Sequence, residues 1–245
     1  MDFHLSLSDL ALAKSNFCRY VRGVKIKGRN NEMNKFVNEV MMKKVERTMK
    51  ALDAHHFNPK FVQNRHEALE LVKLMLNKAD KVGVGGSATL NEVGIIQELK
   101  SGKYNFIESQ APNLSDEERR ARYLDCFMSD VYLSSSNAIT EDGFLYNVDG
   151  RSNRVAAMLY GPNKVIIVAG VNKIVRDIDE AIKRNREIAA PANALRLNKK
   201  TPCAKMLKCC DCKSPERICR NYVLMGPQGL KDRVHVILVN ESLGF

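Results

Sequence analysis

Apolar residues recur at three- and four-residue steps over residues 33–56: Phe36, Val37, Val40, Met41, Val45, Met49 and Leu52. That is the spacing of one helix face. Lys43, Lys44, Glu46, Arg47 and Lys50 occupy the other side, and Asn58-Pro59 closes the segment. A short strand is predicted over residues 60–63. Asn64, with Glu67 three positions on, has the spacing of a capping box, and the helix it opens presents Ala68, Leu71, Val72, Met75 and Leu76. Residues 81–99 read as strand, glycine-rich turn and helix, and residues 104–108 as a strand. Ser115 followed by Asp116, Glu117 and Glu118 marks the acidic first turn of another helix. Strands are expected over 130–133 and 143–148, whereas 155–160 fits either element. Residues 163–170 carry the strongest strand pattern, a continuous apolar run suited to burial. An amphipathic helix is expected over 174–188 and a last strand over 233–239.

Strands that alternate with helices predict an α/β fold with an open, mostly parallel sheet, the late strands pairing in a mixed one. Residues 33–245 read as one α/β domain that includes a cysteine-rich segment over 201–219. Residues 1–32 read as a leader, either disordered or an over-extended start ahead of Met33. Their leucines precede the basic run Arg19, Arg22, Lys25, Lys27 and Arg29, the reverse of the order in a secretory signal.

The chain has 245 residues, 44% of them hydrophobic and 27% charged, enough for a sizeable core. No apolar run approaches the length of a membrane span. The net charge of +11 permits anionic partners. Its even spread, the absence of tryptophan and an aromatic content of only 7% argue against a nucleic-acid platform. Seven cysteines, an odd number, and no cleavable signal point to a reducing compartment, hence a cytoplasmic protein.

Three segments carry candidate chemistry. In the turn, Gly83, Gly85 and Gly86 precede Ser87 and Thr89. Glycines there let the backbone approach a ligand, and a helix start offers free N–H groups to an anion. The same residues would serve a plain strand-to-helix turn, and they match neither a P-loop nor a dinucleotide fingerprint. The second segment contains Asn137, Glu141, Asp142, Asn147, Arg151 and Arg154. Glu141 is the candidate catalytic carboxylate. Asn137 and Arg151 are candidate contacts to an anionic ligand. A hairpin turn over 141–143 would equally account for the acids.

The third segment holds five of the seven cysteines. Cys203, Cys209, Cys212 and Cys219 form a candidate four-thiolate shell for zinc or an iron–sulfur cluster, with Cys210 left over. Free thiols, a disulfide or a redox pair remain open, since the spacing fits neither the bacterial ferredoxin run nor a standard zinc ribbon. His55, His56 and His235 have no nucleophile context.

The strings KVGVGGSATLNEVGI, SSSNAITEDGFLYNVDGRSNRVAAMLYGP and KVIIVAGVNKIVRDIDEAIKRNREIAAPANALRL resemble the LUD domain of lactate-utilisation proteins over residues 34–245. The resemblance implies a fold like that of sugar-phosphate isomerases and CoA transferases, an open sheet with helices on both faces. It implies a ligand cleft where residues 83–89 face residues 137–151. It also implies a role in oxidising lactate to pyruvate beside oxidoreductase and iron–sulfur partner subunits. CoA transferases use a glutamate nucleophile and the isomerases a carboxylate base, which is the precedent for Glu141. Three roles follow as expectations: an organic-acid-binding protein, a non-catalytic electron-transfer or assembly subunit, and an isomerase- or transferase-like enzyme. A homodimer is compatible with each.

Overall fold

The computed structural model describes residues 35–245, so the leader 1–32 lies outside the described residues. The chain divides into two compact units, 1–40 and 41–245. Of the first, only the opening of helix α1 (Lys35–Ala54) is described. Everything below concerns the second.

A six-stranded, wholly parallel sheet forms its centre. In chain order its strands are β1 (Asn58–Val62), β2 (Lys81–Val84), β3 (Asn105–Phe106), β4 (Val131–Ser134), β7 (Lys164–Gly170) and β10 (Val234–Val239). Their spatial order is β1-β10-β7-β4-β2-β3. A second, mixed sheet of four short strands has the order β8-β5-β6-β9: β5 (Ala138–Thr140), β6 (Leu145–Asp149), β8 (Ile174–Val175) and β9 (Asn221–Met225).

The apolar run in β7 has a simple cause. Val165, Ile167 and Ala169 join one core cluster, with Val45 and Leu52 of α1, while Ile166 and Val168 join another. A strand covered on both faces has no polar side to show. The second cluster takes Ala68 and Val72 from helix α2 (Arg65–Met75), Leu90 from α3 (Ala88–Glu92) and Ile95 and Leu99 from α4 (Ile95–Leu99). The first takes Cys126 from α5 (Asp116–Phe127) and Ala157 and Met158 from α6 (Asn153–Leu159). The sheet with helices on both faces is therefore present as expected.

Several local expectations also hold. Asn64 caps α2 by accepting from Glu67 N, and Ser115 with Glu118 forms a full capping box on α5. The segment 155–160 resolves as helix. The expected helix over 174–188 divides instead. Ile174 and Val175 pair with β5, α7 spans Ile178–Arg184, and a π-helical turn over Asn185–Ala189 leads into α8 (Ala190–Arg196). Pro191, with no N–H to donate, follows directly on that π-helical turn, whose last bond runs from Ala190 N to Asn185 O. A short helix α9 (Pro202–Met206) follows. No helix among the described residues is long and apolar enough to cross a membrane.

Candidate functional site: a basic cleft at the carboxyl edge of the sheet

After β2 the chain turns to β3 on one side of β2. After β3 it crosses to β4 on the other. The reversal places a crevice outside the carboxyl ends of β2 and β4, the usual ligand position in an open α/β sheet. A cleft of about 860 Å³ opens there. It is lined by the turn after β2 (Gly86, Ser87, Thr89), the segment after β4 (Ser135, Ser136, Asn137), the turn after β6 (Asp149, Gly150, Arg151) and Lys173 after β7. Seven cationic side chains line it beside Lys173: Arg119, Arg151, Arg154, Arg196, Lys199, Arg217 and Arg220. Two acidic side chains do so, Asp149 and Glu216. Such an excess of one sign in a walled cleft raises the local concentration of anions.

Lys173 lies at the floor, 4% exposed. Its Nζ sits 3.0 Å from Thr89 Oγ1 and 3.0 Å from Ser135 Oγ, and these hydroxyls are 3.4 Å from each other. No carboxylate forms an ion pair with it among the described residues. Burial lowers its pKa from 10.5 to about 7, with Arg184 and Arg154 pushing the same way and Glu92 opposing. That drop corresponds to roughly 5 kcal/mol of disfavoured charge. Three strand ends therefore converge on one amine that exchanges its proton near neutral pH, a combination found at reactive sites. The backbone of Leu243 and Gly244 closes one side. Leu243 N donates to Asn172 Oδ1 (3.1 Å) and Gly244 N to Glu92 Oε2 (2.8 Å). A Cβ on Gly244 would stand 2.5 Å from Thr89 Oγ1 and 3.2 Å from Lys173 Nζ, at φ +60°.

Arg154, 9% exposed, is the clamp beside this floor. Its Nη1 donates to Ser135 O (3.0 Å) and Asn147 Oδ1 (2.8 Å), and its Nη2 to Asn137 Oδ1 (3.2 Å) and Val148 O (3.1 Å). One guanidinium thus ties the segment after β4 to β6, using its planar fork of donors. Gly85 makes room for it: a Cβ there would fall 2.8 Å from Arg154 Cγ.

The residues singled out from sequence divide as follows. Gly86, Ser87, Thr89, Asn137 and Arg151 line the cleft together. Ser87 also caps α3, accepting from Leu90 N, but α3 spans only five residues before Gly94 interrupts it. Little dipole therefore stands behind the turn. Gly83 lies outside the lining, and a Cβ on it would meet Ser129 Oγ at 2.9 Å, so it serves the packing of α5 on β2. Glu141 is also outside the lining. Its carboxylate accepts from Arg47 Nε (2.8 Å) and Nη2 (2.6 Å) and lies 3.7 Å from Lys44 Nζ, at the tip of the β5–β6 hairpin. Thr140 and Gly143 close that turn, Gly143 at φ +88°.

Cys203 is buried on α9 with Thr201 Oγ1 3.3 Å from its sulfur. Cys209, Cys212 and Cys219 lie on the irregular path between α9 and β9. Burial raises the Cys219 thiol, while nearby Arg217 acts the other way. Among the described residues no group of three or more His, Cys, Asp or Glu side chains is placed to hold a metal ion. Cys209 and Cys212 both act on the Cys219 thiol through charge, so these three lie near one another. Arg217 organises the loop around them, donating to Cys219 O (2.7 Å), Cys212 O (2.6 Å), Asp211 Oδ1 (2.9 Å) and Tyr222 Oη (2.7 Å). The loop forms one wall of the cleft through Pro215, Glu216, Arg217, Ile218 and Arg220.

Sequence reasoning missed Lys173. The available signal was a lysine inside the apolar run VIIVAGVNKIV, where a solvated face would show more than one charge.

These features define a class: an α/β domain whose strand ends open into a cationic cleft floored by a buried amine. The LUD domain family matches residues 45–239, and the chain belongs to that family. Among solved structures, a DUF162 family protein from Deinococcus radiodurans is similar. It has 15% identity and a TM-score of 0.48, over 82% of this chain and 98% of that one. No curated protein matches.

Proposed function

We propose that this LUD domain binds a small organic-acid anion, of the lactate and pyruvate type, in the basic cleft. The observation that carries the reading is the charge of the lining, seven cationic side chains beside Lys173 against two acidic ones. Lactate utilisation is the role the family's name supports, and a carboxylate substrate suits this cleft. Arg151 is the side chain best placed to meet an incoming anion. It is exposed, lines the cleft, and spends one donor on Tyr123 Oη at 3.3 Å. Arg154, by contrast, is committed to the backbone and side chains around it. It shapes the cleft more than it contacts a ligand.

Calorimetric titration with lactate and with pyruvate tests the reading. Saturable binding is expected, weakened about tenfold, or ~1.4 kcal/mol, by Arg151→Ala. It should weaken further as salt rises, since Arg151 is exposed. Absence of saturable binding for both acids, at low salt and high protein concentration, would refute it.

A further inference from the structure

We infer that Lys173 is a covalent site: its amine condenses with the carbonyl of a 2-oxo acid held in the cleft to form an imine. The inference rests on the anion-binding reading above and names the substrate class of the same cleft. The geometry has three parts. Lys173 is among the residues that line the cleft although it is 4% exposed, so what little of it is open belongs to the floor of that space. Its two polar partners are hydroxyls, Thr89 Oγ1 and Ser135 Oγ, each at 3.0 Å. An ion pair would hold the amine protonated, whereas hydroxyls leave its lone pair available. Burial, with Arg184 on α7 and Arg154 on α6, disfavours the ammonium form against the opposing charge of Glu92 on α3, as a nucleophilic amine requires.

The step balances without any redox partner. Nζ of the neutral amine attacks the carbonyl carbon, the C–N bond forms, and the C=O π bond breaks toward oxygen. One proton passes from nitrogen to that oxygen, and the two hydroxyls are positioned to relay it. The carbinolamine then loses its oxygen as water, taking the second amine proton, and the C=N bond forms. Amine and oxo acid yield imine and water. A 2-oxo acid suits the site because its carboxylate is drawn by the cationic lining while the adjacent carbonyl reaches the floor. A 2-hydroxy acid offers the same carboxylate and no carbonyl, so it binds without reacting.

Borohydride trapping tests this on the full chain. Pyruvate plus sodium borohydride should add one reduced three-carbon acid per protein, mapped by peptide mass spectrometry to Lys173. Lactate plus borohydride should add nothing, and excess lactate should suppress the pyruvate adduct. Lys173→Arg should abolish the adduct. Should that variant fail to fold, the wild-type peptide map and lactate competition decide alone. Adduct spread over exposed lysines, or unaffected by lactate, would overturn the inference. So would saturable pyruvate binding by calorimetry with no adduct at Lys173, an outcome that leaves the anion reading intact. Failure of both acids to bind removes the anion reading itself.

Discussion

Alanine at position 154 is expected to lower the stability of the domain by about 3–5 kcal/mol. The guanidinium is buried, and it donates to Ser135 O, Val148 O and the side-chain oxygens of Asn137 and Asn147. Asp149, which accepts from Val155 N at 3.1 Å, has Arg154 Nε 3.7 Å away. Truncation removes every one of these donors together: Asn147 Oδ1 loses its donor, at about 1–3 kcal/mol before any relaxation, while Asn137 Oδ1 and Ser135 O keep Val148 N and Ser134 Oγ. It also empties the space beside Gly85 that the arginine stem fills. Lysine at 154 should recover little, because one ammonium cannot reproduce two parallel donor pairs. Urea denaturation of wild type and the two variants checks this. A loss below about 1 kcal/mol for Arg154→Ala would mean that the segment after β4 and strand β6 are held by something else.

The Lys173→Met substitution should have a large effect of the opposite sign. In the folded chain the amine has a pKa of about 7, against 10.5 for the same group in water. Between those values the unfolded chain holds a proton that the folded chain has lost, so wild-type stability rises with pH across this window. Below pH 7 both states carry the proton, and the full cost, roughly 5 kcal/mol, is present. Methionine has similar length and no charge, so the variant escapes that cost, less whatever the two hydroxyl contacts contribute. Its advantage should be greatest at pH 6–7 and should shrink as pH approaches 10.5. Denaturant midpoints at pH 6, 8 and 10 decide the matter. A wild-type-to-variant difference that does not change with pH would show that the lysine is not held neutral. A residue that costs stability and is nonetheless built into three strand ends fits a role in chemistry better than one in packing.

The central sheet was readable because its strands are buried on both faces, and double burial leaves apolar runs over 165–170 in β7 and 236–239 in β10. Helices α2 and α5 were readable because Asn64 and Ser115 cap them by local chemistry. The second sheet was harder. Strand β8 has two residues and β5 has three, too few for any period, and β9 leaves Tyr222 and Leu224 exposed. The split of the segment 174–188 arises from tertiary pairing of Ile174 and Val175 with β5, which overrides an otherwise helical pattern.

The glycine turn, Asn137 and Arg151 could be placed at the cleft because strand-end loops in such sheets face one side. The cationic lining could not. Arg119, Arg196 and Arg220 lie far apart in sequence and meet only in the fold. The cysteine segment suggested a metal by spacing alone, yet its path is governed by Arg217, which the spacing does not reveal. Glu141 stood out as an acid in a strand-end loop. Its partners, Arg47 and Lys44, come from a helix nearly a hundred residues away and could not be paired with it in advance.

A crystal structure of the protein soaked with pyruvate tests the central claim most directly. Density for the acid in the cleft is predicted, its carboxylate toward Arg151 and its carbonyl carbon at Lys173 Nζ. Pyruvate bound elsewhere, or a cleft still empty at concentrations that saturate calorimetric binding, would contradict the account.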